Sequence, residues 1–346
     1  MTIPTLTTAR RIATDRLETR VLFAGPEDGT PVIFVHGNLS AATWWEETML
    51  RLPDGYRAIA PDLRGYGEAD EAAKVDATRG MKDFADDLAA LCGALEISAA
   101  HWVGHSLGGA VMWQVMADHP QLVRSVTQVC PGAPHGFGGC KADGTPCFDD
   151  NAGAGGGAVN PDMIALMKAG DRGDDSPHHM RNVLNTFVWK SPFVPDRIED
   201  ILTAALAQHL GDQDYPGDMV ASDNWPGMAP GQWGAINAMA PRYQAAPLAF
   251  TTACTAPVLW LRGADDPVVA DGSFFELGTL GQAGAVPGWP GADVYPPQPM
   301  IAQTEAALQA YGGPVQTVVL DDCGHSPYLE KPDAFDAAFH RFLADS

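Results

Sequence analysis

The residues best suited to chemistry stand together in Gly104-His105-Ser106-Leu107-Gly108. They follow a short β-rich run, His101 to Gly104, and open an apolar helical stretch, Leu107 to Asp118. Glycines two before and two after a serine leave room for a sharp, strained turn. The hydroxyl then stands above a strand end, and the N–H groups that begin the helix face developing negative charge. A Gly-rich turn with a capping serine would carry the same letters. The strand before and the helix after favour the nucleophile reading.

A serine hydroxyl is a weak nucleophile at neutral pH. It needs a base, and the base needs an orienting partner. Of the ten histidines, His325 in Asp322-Cys-Gly-His-Ser-Pro is the best placed, between a late strand and the last helix. His36 ends a strand, His105 would point sideways from the turn, and His178 and His179 lie in an insertion. The acid is expected between serine and histidine in chain order. Asp266 of Gly263-Ala-Asp-Asp-Pro is the first choice and Asp265 the second. A tetrahedral oxyanion needs two donors: the Leu107 N–H and, from the loop His36-Gly37-Asn38-Leu39, the Asn38 N–H.

These residues must be carried by elements that bring positions 38, 106, 266 and 325 together. Strands are expected at 17–24, 31–36, 56–61, 101–104, 123–129, 257–261 and 315–320, and helices at 79–95, 107–118, 301–311 and 332–343. This alternation argues for a mainly parallel sheet covered on both faces. From 134 to 246 it breaks. That stretch holds no buried-strand pattern, many prolines, helical pieces near 162–169 and 197–210, and many large aromatics. It reads as an inserted cap, with residues 1–133 and 247–346 forming the core. A smaller Gly- and Pro-rich insertion runs from about 271 to 300.

Composition narrows the partners. The net charge of −22, from 21 basic and 43 acidic side chains, repels phosphate backbones and anionic membrane surfaces, so no nucleic acid and no membrane partner is expected. No apolar run is long enough to span a bilayer and the start lacks a leader pattern, so a cytoplasmic location is expected. The six cysteines match no zinc spacing; Cys140 and Cys147 flank a turn that a disulfide would close. The acidic loop with Asp143, Asp149 and Asp150 lacks a calcium-loop spacing and reads as solvated turns.

Taken together, His36-Gly37, Asp62-Leu-Arg-Gly-Tyr-Gly67, Gly104-His-Ser-Leu-Gly108, Gly263-Ala-Asp-Asp266 and Cys323-Gly-His325 resemble the α/β-hydrolase superfamily. The resemblance covers about residues 15–132 and 254–346. It implies an α/β fold with an eight-stranded, mostly parallel sheet, helices on both faces, and a cap after the sixth strand. It also implies that Ser106 separates this chain from the haloalkane dehalogenases and epoxide hydrolases of the fold, which carry aspartate at the turn. The expected function is hydrolysis of a small-molecule carboxylic ester or lactone by Ser106, Asp266 and His325, with no cofactor and no metal. The same triad also serves C–C or amide hydrolysis, and the fold can act as a small-ligand receptor. Trp44, Trp45, His105, Phe148, Trp189 and Trp225 are the candidate walls of an apolar substrate pocket.

Overall fold

Hydrophobic runs rich in Val and Ile build the centre of the molecule. In the computed structural model, which describes residues 3–346, eight strands form one sheet. They are β1 (Thr8–Ala13), β2 (Glu18–Ala24), β3 (Thr30–Val35), β4 (Tyr56–Pro61), β5 (Ala100–His105), β6 (Val123–Val129), β7 (Val258–Gly263) and β8 (Val315–Leu320). The spatial order is β1-β2-β4-β3-β5-β6-β7-β8. The β1–β2 and β2–β4 pairs are antiparallel, and every pair from β4 to β8 is parallel. The order reverses around β3, and such a switch point opens a crevice at the carboxyl ends of parallel strands.

Alternation along the strands feeds two cores. Ile33 and Val35 pack with Phe84, Leu88 and Leu91 of helix α1 (Lys82–Ala94) and with Val111 and Met112 of α2 (Leu107–Asp118). Val32 and Phe34 face the other way, onto Trp45, and share a cluster with Phe335, Phe339 and Phe342. Those three phenylalanines line one side of the last helix, Pro332–Asp345. Burial on both faces is why the central strands read as continuous apolar runs.

Between β6 and β7 the chain makes short helices and a small antiparallel ladder, Met219–Ala221 with Met228–Pro230. Helix α3 (Pro161–Lys168) starts where the Asn160 side chain accepts from the Asp162 and Met163 N–H groups. Helix α4 (Ile198–Leu206) buries Ile201 and Leu202. These residues, with Met163, Met167, Leu184 and Trp189, join the same apolar cluster as Trp44 and Trp45. The insertion therefore shares a core with the sheet layer.

The observed elements add short helices to the expected ones, among them Glu46–Leu50 and Leu277–Gln282, and depart from them elsewhere. Strand β1 was not expected: Thr8–Ala13 is almost wholly exposed and has no apolar alternation, yet it pairs along its length with β2. The helix expected from Arg79 begins at Lys82, after a separate turn at Ala77–Arg79 capped by Asp76. The six cysteines are free thiols, so no disulfide joins Cys140 and Cys147. Backbone pairing of Cys140 with Pro146 and a Cys147 N–H bond to Gly139 close that loop instead. Asp143 and Asp150 are occupied by turn donors, among them Thr145, Ala152 and Asn224. Among the described residues, no helix is long and apolar enough to cross a membrane. The first two residues, where the reading for a leader begins, lie outside the described residues.

Candidate active site

The register of the parallel strands brings five chain ends to one edge. Val35 pairs with Gly104, Gly104 with Gln128, Val129 with Leu261, and Gly263 with Leu320. Beyond these ends lie Asn38, Ser106, Cys130, Asp266 and His325. One residue of slip in any ladder would move its loop out of the group.

Ser106 sits between β5 and α2 with φ 55° and ψ −116°. A non-glycine residue there is strained, and the neighbours hold it in place. Its N–H donates to Val129 O at 3.0 Å, and its carbonyl accepts from Ala110 N at 3.1 Å and Gly132 N at 2.9 Å. The flanking glycines are required by close approach. A Cβ on Gly104 would lie 2.6 Å from Gly108 O, and one on Gly108 would lie 2.3 Å from Val35 O. The Ser106 side chain is half-buried, and the Leu107 N–H opens the helix behind it, where no intrahelical acceptor exists.

Across the edge, His325 Nδ1 donates to Asp266 Oδ2 at 2.8 Å. The carboxylate can only accept, so Nδ1 carries the proton and Nε2 keeps a free lone pair. The other Asp266 oxygen accepts from Val268 N at 2.8 Å and Val269 N at 3.1 Å. Asp265 does not reach the histidine. Its carboxylate is half exposed and bonds Lys190 Nζ at 2.8 Å. The two loops are stitched together by Ala264 N to Leu320 O and Asp265 N to Cys323 O, both 2.9 Å. The Cys130 thiol completes the group, with its sulfur and donor atoms of Asp266 and His325 all within 4.8 Å of one another. Burial and the neighbouring Asp266 charge push that thiol well above its ordinary pKa, so it stays protonated.

The loop after β3 closes the third side. The Cβ position of Gly37 lies 3.1 Å from Ser106 Cβ, which sets the Gly37-Asn38 backbone directly against the turn. His36 shapes this loop from beneath. Its Nε2 accepts from Leu63 N at 3.0 Å, so Nδ1 bears the proton and donates to Gly37 O at 2.8 Å. Burial lowers its pKa to about 4, which keeps the ring neutral. Leu63 is fixed in turn by its neighbour Asp62, whose buried carboxylate grips Arg20 at 2.9 and 3.1 Å and accepts from Ala42 N and Glu68 N.

Comparison with known proteins agrees with this architecture. A family model described as the alpha/beta hydrolase fold matches residues 30–142. A carboxylesterase structure from Bacillus subtilis superposes with TM-score 0.61, at 16% identity, over 99% of this chain and 94% of that one. An esterase from a Rhodococcus species gives 0.57, at 19% identity, over 97% and 98%. This chain is an α/β-hydrolase-fold protein.

Among curated relatives of this α/β-hydrolase-fold chain, a non-heme chloroperoxidase of Streptomyces lividans is 42% identical over 94 residues, 27% of this chain and 33% of that protein. A 2-(acetamidomethylene)succinate hydrolase of Mesorhizobium japonicum is 36% identical over 35% of this chain and 42% of that protein. Both matches span less than half of the relative's length. Epoxide hydrolase A of Mycobacterium tuberculosis is 25% identical over 97% of each chain.

The candidate wall residues divide into three groups. His105 is no wall. Its ring is buried, Nε2 donates to the His325 carbonyl at 2.8 Å, and Tyr328 OH lies 3.4 Å from Nδ1. Burial, and next the nearby His325, hold its pKa well below the usual range, so it is a neutral brace for the His325 loop. Trp45 is likewise core: fully buried, stacked on Tyr328 at 4.0 Å and tilted on Phe34 at 5.3 Å. Trp44 and Trp189 join the insertion to the sheet layer; their rings lie 6.3 Å apart, and Trp44 Nε1 donates to Ile201 O at 3.2 Å. Phe148 and Trp225 converge on Tyr295 of the second insertion, at 5.9 and 4.8 Å.

Three supporting residues escaped the sequence reading. The Glu330 carboxylate accepts from Gly324 N and Lys190 N at 2.8 Å and from Ser326 N at 3.2 Å, so it shapes the His325 loop and ties it to the insertion. Lys190 bridges Asp265 and Asp322 at 2.8 Å each. Cys130 had no local signal beyond its place after a strand.

Proposed function

We propose that this chain is a serine hydrolase that cleaves a carboxylic ester or lactone of a small to medium, largely apolar substrate through an acyl-enzyme. The observation that carries the reading is the 2.8 Å Asp266–His325 bond beside the strained Ser106 turn. Ser106 Oγ attacks the acyl carbon while His325 Nε2 takes its proton. Asp266 offsets the charge of the imidazolium and holds the tautomer. The oxyanion is met by the Leu107 and Asn38 N–H groups. The alkoxide leaves with the proton from His325, and water repeats the sequence on the acyl-enzyme. The steps need neither a metal nor an organic cofactor.

Ser106 Oγ has no hydrogen-bond partner among the described residues, and the serine–histidine bond of such a site is often open without substrate. The esterase names among the structural neighbours support the ester class. The Met- and aromatic-rich insertion, with Met163, Met167, Phe187 and Phe193 in its cluster, supports an apolar acyl group. Hydrolysis of p-nitrophenyl butyrate by the wild-type chain, with Ser106→Ala reduced to background, is the test. Turnover that persists in Ser106→Ala defeats the proposal. Turnover confined to amides or diketones redirects it to the alternative bond classes, and ligand binding without any turnover redirects it to a receptor.

A further inference from the structure

Gln208 follows helix α4 in the insertion and is 4% exposed. Its Oε1 accepts from the Leu39 N–H at 3.1 Å, and its Nε2 donates to Asn38 Oδ1 at 3.2 Å. The amide orientation is fixed, because a backbone N–H can only donate. Leu39 needs that partner: its φ is 52°, a left-handed conformation that a leucine adopts only when held. Asn38 Oδ1 also accepts from Tyr66 OH at 2.9 Å, and the buried Tyr215 phenol lies beside the same side chain. The segment around Gln208 is itself anchored on the core. His209 N donates to Gly65 O at 3.0 Å, Tyr215 N to His209 O at 3.1 Å, and Lys74 Nζ bonds Asp214 at 2.7 Å.

We propose that Gln208 is a positioning residue through which the insertion sets the backbone of the Gly37–Leu39 loop, and so the aim of the Asn38 N–H at the oxyanion. The inference rests on the serine-hydrolase reading and deepens it. One side chain grips two consecutive residues of the loop, 169 and 170 positions away, next to Gly37, whose Cβ position lies 3.1 Å from Ser106 Cβ. Without it, the left-handed Leu39 loses its acceptor and relaxes, and the hole opens while the triad stays intact. A misplacement of about 1 Å at a reacting group costs roughly 10²-fold in rate.

The experiment compares wild type, Gln208→Leu and Gln208→Glu, with rates expressed per active site titrated by a fluorophosphonate. Gln208→Leu is expected to lower kcat about 10- to 100-fold with KM within about threefold, because an oxyanion donor acts in the transition state. Gln208→Glu keeps the acceptor for Leu39 but sets a carboxylate against Asn38 Oδ1. Protonation restores the donor, so its rate relative to wild type should rise several-fold from pH 8 to pH 5.5. A purely structural role would lower the titratable fraction and the melting temperature and leave that ratio flat. A Gln208→Leu kcat per site within twofold of wild type, or a flat ratio, overturns the proposal. Amide hydrogen exchange of residues 37–40 reads the latch without any substrate. It should quicken at least tenfold in Gln208→Leu, and unchanged exchange overturns the latch even if the hydrolase reading itself has failed.

Discussion

Asp265 and Asp266 are adjacent, chemically identical and both in the loop after β7, so exchanging each for asparagine isolates what geometry alone contributes. Asp266 is 4% exposed at its side chain and holds His325 Nδ1 at 2.8 Å, while its second oxygen takes two backbone N–H groups. In Asp266→Asn the backbone donors retain an oxygen and turn the amide NH2 toward the histidine. That demands a lone pair on Nδ1, moves the proton to Nε2, and leaves the imidazole unable to take the serine proton. Loss of the correct tautomer in a serine triad costs about 10⁴ in kcat, or about 5.5 kcal/mol of transition-state stabilisation. Asp265→Asn removes only one arm of an exposed pair with Lys190, whose side chains are 46% and 39% exposed. Exposed pairs contribute little to stability, and the rate should stay within about threefold. The assay is steady-state hydrolysis of p-nitrophenyl butyrate at pH 8, with intact folding checked by circular dichroism. An Asp266→Asn rate within tenfold of wild type, or a greater loss in Asp265→Asn, overturns Asp266 as the partner of His325.

Two further outcomes follow from the packing. Asp62→Ala should lower unfolding stability by about 3–5 kcal/mol in urea titration, because it strands the buried Arg20 guanidinium, and Arg20→Met in the same chain should restore part of the loss; no loss in Asp62→Ala contradicts the pairing. His36 and His101 both titrate near pH 4 when folded, chiefly through burial, against about 6.5 when unfolded. Between those values the unfolded chain binds more protons, so the stability present above pH 6.5 falls as pH drops toward 4, by up to about 1.4 kcal/mol per pH unit for each ring. His101→Asn should flatten the dependence of the urea midpoint on pH by about one proton; an unchanged slope contradicts it.

The sheet was legible because its strands carry their burial in their letters: Pro-Val-Ile-Phe-Val at β3 and Val-Leu-Trp-Leu at β7 are apolar on both faces. The turn at Ser106 was legible because its constraint is local, set by glycines within two residues. Strand β1 was not, since Thr-Ala-Arg-Arg-Ile-Ala lies exposed on an edge and owes its form to pairing with β2. Nothing local separates Asp265 from Asp266; the choice is made by loop contacts with Cys323 and Leu320, more than fifty residues on. The aromatic residues misled for a related reason. Trp45 and His105 stand close to the turn in sequence or space, yet the Trp45 ring packs on Tyr328 and Phe34, and the His105 nitrogens meet the His325 carbonyl and the Tyr328 hydroxyl. Glu330 reaches the Lys190 N–H, and Gln208 the Leu39 N–H, across 140 and 169 positions, and such bonds leave no periodicity or motif behind.

In the proposed mechanism the hydroxyl at position 106 is the nucleophile and the imidazole at 325 makes it so. Incubation with a p-nitrophenyl phosphonate, followed by intact mass and peptide mapping, tests this most directly. One adduct per chain is expected, on Ser106, formed with release of p-nitrophenol and slowed by orders of magnitude in His325→Ala. An adduct on another residue, or ester turnover that survives with Ser106 unlabelled, contradicts it.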